Sequence, residues 1–266
     1  MSSGTDLRAG FERHDLRAPI GSGLEQLSGV ADAVHEEGWL GVAQRFKAVV
    51  LEGRVGRAST DAHDLNTYTV GIHARPADAL NLSFERRHSF FVVSPRAVDL
   101  GITRLTHEAA IDWSPGLNNH ISVQAAYHEL SDTNELVEFS VAPRRRVIRT
   151  EALNLDLGFF GYQYRARHDL GNGYYDPRKY EFYGATAHPY WKANEDIGVS
   201  VSVMAGIQRD NDSSEFSAGG NAAVRAIIGI YGPLVLDANV SATFNQRLES
   251  GAFRGLRAEA SLAYRF

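Results

Sequence analysis

The stretch Leu234-Val235-Leu236-Asp237-Ala238-Asn239-Val240-Ser241-Ala242-Thr243-Phe244-Asn245 decides the fold class. Its even positions, Leu234, Leu236, Ala238, Val240, Ala242 and Phe244, are apolar, and its odd positions from Asp237 onward are polar. Successive side chains of a β-strand point to opposite faces, so period two makes this a strand with one apolar and one polar side. The run is also long. Strands of soluble sandwiches usually hold about 5 to 6 residues, whereas a tilted strand crossing a bilayer needs about 9 to 11.

The same pattern recurs on both sides. Leu256, Ala258, Ala260, Leu262, Tyr264 and Phe266 oppose Arg257, Glu259, Ser261 and Arg265. Upstream, Ala218, Ala222, Val224, Ala226, Ile228 and Ile230 oppose Ser217, Asn221, Arg225 and Gly229. Ile197, Val199, Val201, Val203, Ala205 and Ile207 oppose Gly198, Ser200, Ser202, Gly206 and Gln208, and shorter alternations begin at Leu153 and Ile121. The first hundred residues fit less well.

Connections alternate in kind. Short turns are expected at Pro76-Ala77-Asp78, Pro115-Gly116-Leu117-Asn118, Asn194-Glu195-Asp196 and Tyr231-Gly232-Pro233, each with turn-forming residues. Longer polar stretches at His168 to Asp176, Asp210 to Ser214 and Leu248 to Gly251 fall between them. Short turns at the periplasmic end and longer loops outside are the outer-membrane arrangement. Trp113 and Trp191 stand beside short turns, where an interfacial aromatic girdle belongs. The expectation is an all-β chain, an antiparallel transmembrane β-barrel of about 14 strands and up to 16, in the bacterial outer membrane. Its first two strands are expected near Leu7 to Leu16 and Leu24 to His35. A soluble sandwich or lipocalin-like barrel also shows period two and is the competing architecture.

Composition narrows function. The chain has 266 residues, 44% apolar and 22% charged, and no run approaches the roughly 18 apolar residues of a membrane helix. No cysteine is present, which removes thiolate metal sites and cysteine nucleophiles. With 27 basic against 32 acidic side chains, nucleic-acid binding has little support. The segment from Met1 lacks the apolar core of a secretory signal, so an exported chain would be a mature or excised piece.

The run Gly173-Tyr174-Tyr175-Asp176-Pro177, followed by Tyr180 and an alternating strand to Trp191, resembles a segment of the carboxy-terminal barrels of tetratricopeptide-containing exopolysaccharide exporters, the types that serve cellulose synthase and poly-N-acetylglucosamine export. The final strand ending on Phe266 resembles the carboxy-terminal signal of outer-membrane barrels. The resemblance covers roughly the last hundred residues. It implies one barrel domain over 1-266, cut from a longer protein whose helical repeats of about 34 residues are not found in this chain. It also implies export of a polysaccharide, with periplasmic and inner-membrane synthase partners. Tyr174 and Tyr175 would either contact pyranose faces or anchor the loop to the rim.

The polar faces make Glu85, Arg87, Glu108, Asp112, Asp156, Arg225, Asp237, Arg257 and Glu259 lumen-facing candidates. Such a wall is either a set of mutually paired, solvated charges or a hydrogen-bonding track for polysaccharide hydroxyls, since conduction needs weak and repeated binding. Catalysis has only compositional candidates: His128 near Glu129 and Ser131, and His168 beside Asp169. No Gly-x-Ser-x-Gly elbow, His-Glu-x-x-His helix or phosphate loop is present, and no cofactor or metal is expected. The reading is a passive pore for exopolysaccharide export rather than an enzyme, with a diffusion porin, surface anchor or adhesin of the same fold as the alternative.

Overall fold

A computed structural model describes residues 4–17, 32–172, 174, 176–210, 215–229, 234–247 and 251–264, with side chains described except at 14–17, 32, 95, 243–247 and 251–264. The strands are β1 (Gly4–Arg17), β2 (Asp32–Phe46), β3 (Val49–Thr60), β4 (Asp64–Ala77), β5 (Leu80–Phe90), β6 (Thr103–Trp113), β7 (Asn119–Leu130), β8 (Glu135–Arg149), β9 (Leu153–Ala166), β10 (Tyr180–Lys192), β11 (Ile197–Asp210), β12 (Ser217–Ile228), β13 (Leu234–Arg247) and β14 (Gly251–Tyr264), with one short helix, α1 (Pro95–Asp99), between β5 and β6. They form one 14-stranded sheet in sequence order. Among the described residues no ladder joins β1 to β14.

Each strand holds 11 to 15 residues. At roughly 3.3 Å per residue that is about 36 to 50 Å of strand, enough to cross a hydrocarbon layer of about 30 Å at a tilt. The apolar face lies open on strand after strand: Leu40 and Val42, Val55, Val70 and Ile72, Phe84, Ile111, Val137 and Phe139, Leu157 and Phe159, Val203 and Ile207, Val224 and Val240 are all exposed. The register stacks these residues across strands, as in Val201 opposite Val224, itself opposite Val240. A contiguous apolar surface of this extent is stable against lipid and not against water. The chain therefore spans a membrane, and the outer membrane of bacteria is where closed sheets do so.

Of the expected strand near Leu24 to His35, the last four residues fall in β2. The second strand runs from Asp32 to Phe46, and residues 24–31 lie outside the described residues. The turn expected at Pro76-Ala77-Asp78 also moves, because β4 continues through Ala77 and turns at Asp78-Ala79. Pro76 is tolerated there because the β4–β5 register breaks between Ala74 and Ala77, so its missing N–H costs no ladder bond. The turns at 115–118 and 194–196 stand where expected. Residues 231–233, 211–214 and 248–250, and with them one expected turn and most of two expected loops, lie outside the described residues, as does Phe266.

Two compact units can be distinguished. The first holds Met1–Asp112, Gln124–Phe139 and Tyr164–Arg178; the second holds Trp113–Val123, Ser140–Gln163 and Lys179–Phe266. The first unit has a small apolar core at its loop end, built from Phe90, Phe91, Ala97, Val98, Ile102, Leu130 and Leu136. Helix α1 belongs to it and packs against β2, three strands away from β5 in the sheet. Ser94 caps α1 by accepting a hydrogen bond from the Ala97 amide at 3.1 Å, and the Asp99 carbonyl lies 2.9 Å from His63 Nε2. His35 of β2 meets Phe90 edge to face. The loop of residues 91–102 is thus folded over the polar face of the first strands, a feature without a counterpart in the turn signals of the sequence.

Candidate functional site

Each strand's parity sorts its side chains. The lumen-facing candidates Glu85, Arg87, Glu108, Asp112, Asp156, Arg225 and Asp237 all take the parity opposite the exposed apolar residues of their strands. Most are paired with a neighbour on the same face. Arg87 and Glu85 lie 3.5 Å apart, and Gln124 Nε2 donates to Glu108 at 2.7 Å. Arg146 grips Asp156 with two bonds of 2.7 and 3.2 Å, and Arg225 Nε donates to both Asp237 oxygens at 2.8 and 3.1 Å. Bidentate pairs of this kind fix both side chains in the plane of the wall. The backbone register sets Arg257 opposite Ser241 and Glu259 opposite Asn239, while their side chains lie outside the described residues.

The second unit adds aromatic rings that the charged candidates did not include. Phe160 and Tyr162 of β9 share the polar face with Asp156, and their rings are stacked at 6.3 Å. Phe160 meets Phe182 of β10 at 6.2 Å, and Tyr162 meets Tyr180 edge to face at 6.0 Å. The Tyr180 hydroxyl donates to Gln208 at 2.8 Å. These four rings form a patch along two adjacent strands, on a face that is polar by construction in such folds. Their signal was present in the sequence as apolar residues at both parities of 157–162, an anomaly in a strand that needs only one apolar side.

The loop between β9 and β10 is built on Asn134. This side chain is 1% exposed. Its Nδ2 donates to the His168 carbonyl at 2.8 Å and to the Tyr174 hydroxyl at 3.0 Å, while its Oδ1 accepts from the His168 amide at 3.0 Å. The Tyr174 hydroxyl donates to Asp132 at 2.7 Å, and Asn172 donates to the same carboxylate at 2.9 Å. Phe91 packs against the Tyr174 ring at 5.2 Å. Tyr174 is 8% exposed, so it anchors the loop and has no open face for a sugar ring. Burial, then the bond to Asp132, holds its phenol above the usual range. Asp176 is also buried and is pushed up chiefly by burial, with the Leu170 amide pulling it down and the nearby Asp169 charge adding to the rise. Gly173 and Tyr175 lie outside the described residues. Pro177 is buried, and its carbonyl accepts from the Ala166 amide.

The catalytic candidates do not assemble as grouped in the sequence. His128 turns away from Glu129 and Ser131: its Nδ1 lies 2.9 Å from the Thr106 hydroxyl and its Nε2 lies 3.0 Å from Glu138. The Ser131 hydroxyl instead accepts from the Thr103 amide. A hydroxyl, an imidazole and a carboxylate in a row have the order of a nucleophile relay, yet Thr106 is 1% exposed and no substrate can reach it. The backbone amide of His168 serves the Asn134 hub. Among the described residues no group of three or more His, Asp or Glu side chains could hold a metal ion.

No protein-family model matches the sequence, and a search of curated proteins found no match. Solved structures do match. The chain is similar to a bacterial polysaccharide outer membrane secretin at 16% identity and a TM-score of 0.77, over 97% of this chain and 91% of that one. It also matches the outer membrane channel DcaP of Acinetobacter baumannii at 10% identity and a TM-score of 0.49, over 99% of this chain and 98% of that one. At these identities the first likeness is one of fold, and the fold is the all-β, antiparallel architecture of bacterial outer-membrane β-barrels.

Proposed function

We propose that this chain is an outer-membrane pore through which an exopolysaccharide is exported. The observation that carries the reading is the aromatic patch on the polar face, in which Phe160, Tyr162 and Tyr180 are half-buried with open ring surface and the buried Phe182 backs them. Flat rings contact the apolar faces of pyranoses while the hydroxyls stay hydrated or bond to the paired charges beside them, such as Arg146 with Asp156. Each contact is weak and repeated, as transit requires. The fold shared with a polysaccharide secretin supports the reading, as does the sequence resemblance to exporters that work with periplasmic and inner-membrane synthase components. Cello-oligosaccharide added to the chain in a planar bilayer should block the current. Phe160→Ala with Tyr162→Ala should shorten each block roughly tenfold, equivalent to about 1.4 kcal/mol. Unchanged block times would sink the role of the rings.

A diffusion porin is the second reading, favoured by the loop of residues 91–102 seated on β2. In that case the loop is a fixed constriction. Its removal would raise conductance for small ions, and oligosaccharides would pass without discrete blocks.

A further inference from the structure

A cavity of about 650 Å³ opens at the short-turn end of the first unit, lined by residues of the β2–β3 turn, the β4–β5 turn and the facing polar surface of β6. That size lies within the range of ligand pockets. Four of its lining residues are Arg45, Lys47, His73 and Arg75. The carboxylates nearby are Glu52, which sits 3.3 Å from His73, Asp78, which sits 3.5 Å from Arg75, and Asp112. Arg45 and Lys47 have no side-chain partner among the described residues. Arg45 has the same parity as His35 and Trp39, on the polar face of β2.

Lys47 stands at φ 47°, a left-handed turn position that glycine or asparagine fills at lower cost. A cation is therefore kept there against the local conformational preference. Two unpaired cations and a third whose counter-ion is fully exposed make the cavity an anion receiver, at the end which faces the periplasm in outer-membrane barrels.

We infer that this cavity receives an anionic sugar residue, so that the polymer admitted to the pore is a polyanionic glycan with Arg45 and Lys47 as its first contacts. The inference rests on the polysaccharide-export reading and adds the charge class of the substrate. Charge complementarity at a mouth acts mainly on capture, raising association rates about tenfold or more at low salt.

The test is single-channel recording of the full chain in a planar bilayer, comparing oligogalacturonate with cello-oligosaccharide of equal length, in the wild type and in the R45Q/K47Q variant. Heat-dependent gel mobility verifies that the variant is folded. The expected result is roughly tenfold faster block by the oligouronate in the wild type, weakening as salt rises, and parity between the two sugars in the variant with cello-oligosaccharide block unchanged. Equal rates in the wild type, or a preference that survives in R45Q/K47Q, overturn the inference while leaving the export reading standing. If neither sugar blocks from either side, the export reading falls and takes this inference with it. A polyglutamate peptide of equal charge that resides longer than the oligouronate overturns the glycan assignment in favour of an acidic protein segment.

Discussion

At Asp176 a single carboxyl reports on the state of a whole loop. Its burial raises its pKa above the ordinary 3.8, so the folded loop favours the protonated form. The sign follows from linkage: this contribution to stability is fully present below the ordinary carboxylate pKa and is lost as pH rises through the raised value. Amide exchange across residues 167–172 should therefore be slowest in acid and should quicken as pH climbs through that window, once corrected for intrinsic exchange rates. Asp176→Asn should flatten the dependence. A profile of equal slope in the variant would remove Asp176 as its source. The hub itself could not be read from sequence. Asn134 and Asp132 lie some forty residues from Asn172 and Tyr174, and nothing local in a polar turn predicts a partner so distant.

At the scale of the element, the strands divide labour by parity. Val240 is exposed on the apolar face of β13 and stands opposite Val224, whereas Asn239 on the other parity stands opposite Arg225. Val240→Arg should cost about 2 to 4 kcal/mol if the position lies near the bilayer midplane. Asn239→Arg should cost far less. Urea titration of the lipid-refolded chain measures both, and equal costs would contradict the assigned faces. Parity was legible in β11 to β13 because one side is almost wholly apolar. In β2 it was blurred for a physical reason: α1 and its loop cover the polar face, so Ala33, Trp39 and Ala43 join His35 and Glu37 there and the alternation loses contrast. Alternation also lost contrast in β9, where the rings at Phe160 and Tyr162 stand among the outward residues Leu157 and Phe159.

For the whole molecule, the stability of a sheet with fourteen strands in sequence order depends on leaving no free edge in lipid. A closed barrel resists dodecyl sulfate until heated, so the refolded chain should migrate faster unboiled than boiled. Coincident bands would contradict closure. Strand number and order were legible in the sequence because neighbouring strands are neighbours in the chain, with turn chemistry between them as at Asn194-Glu195-Asp196, which joins β10 to β11. The lining was legible only as parity. The placement of Glu85, Asp156 and Asp237 on the polar face follows from counting by twos, but their pairing with Arg87, Arg146 and Arg225 depends on cross-strand register or side-chain reach.

By itself, then, the sequence determined the class of fold, the membrane as solvent and the sides of strands such as β11 to β13, since period two and strand length are local properties. Only the tertiary structure decided which distant residues meet. It folded the loop of residues 91–102 onto β2 and buried Tyr174 in the Asn134 hub. It also brought Phe160, Tyr162, Tyr180 and Phe182 into one patch, and set Arg45 and Lys47 around one cavity. Those meetings are settled by packing and register between segments far apart in the chain, to which no local alternation is sensitive.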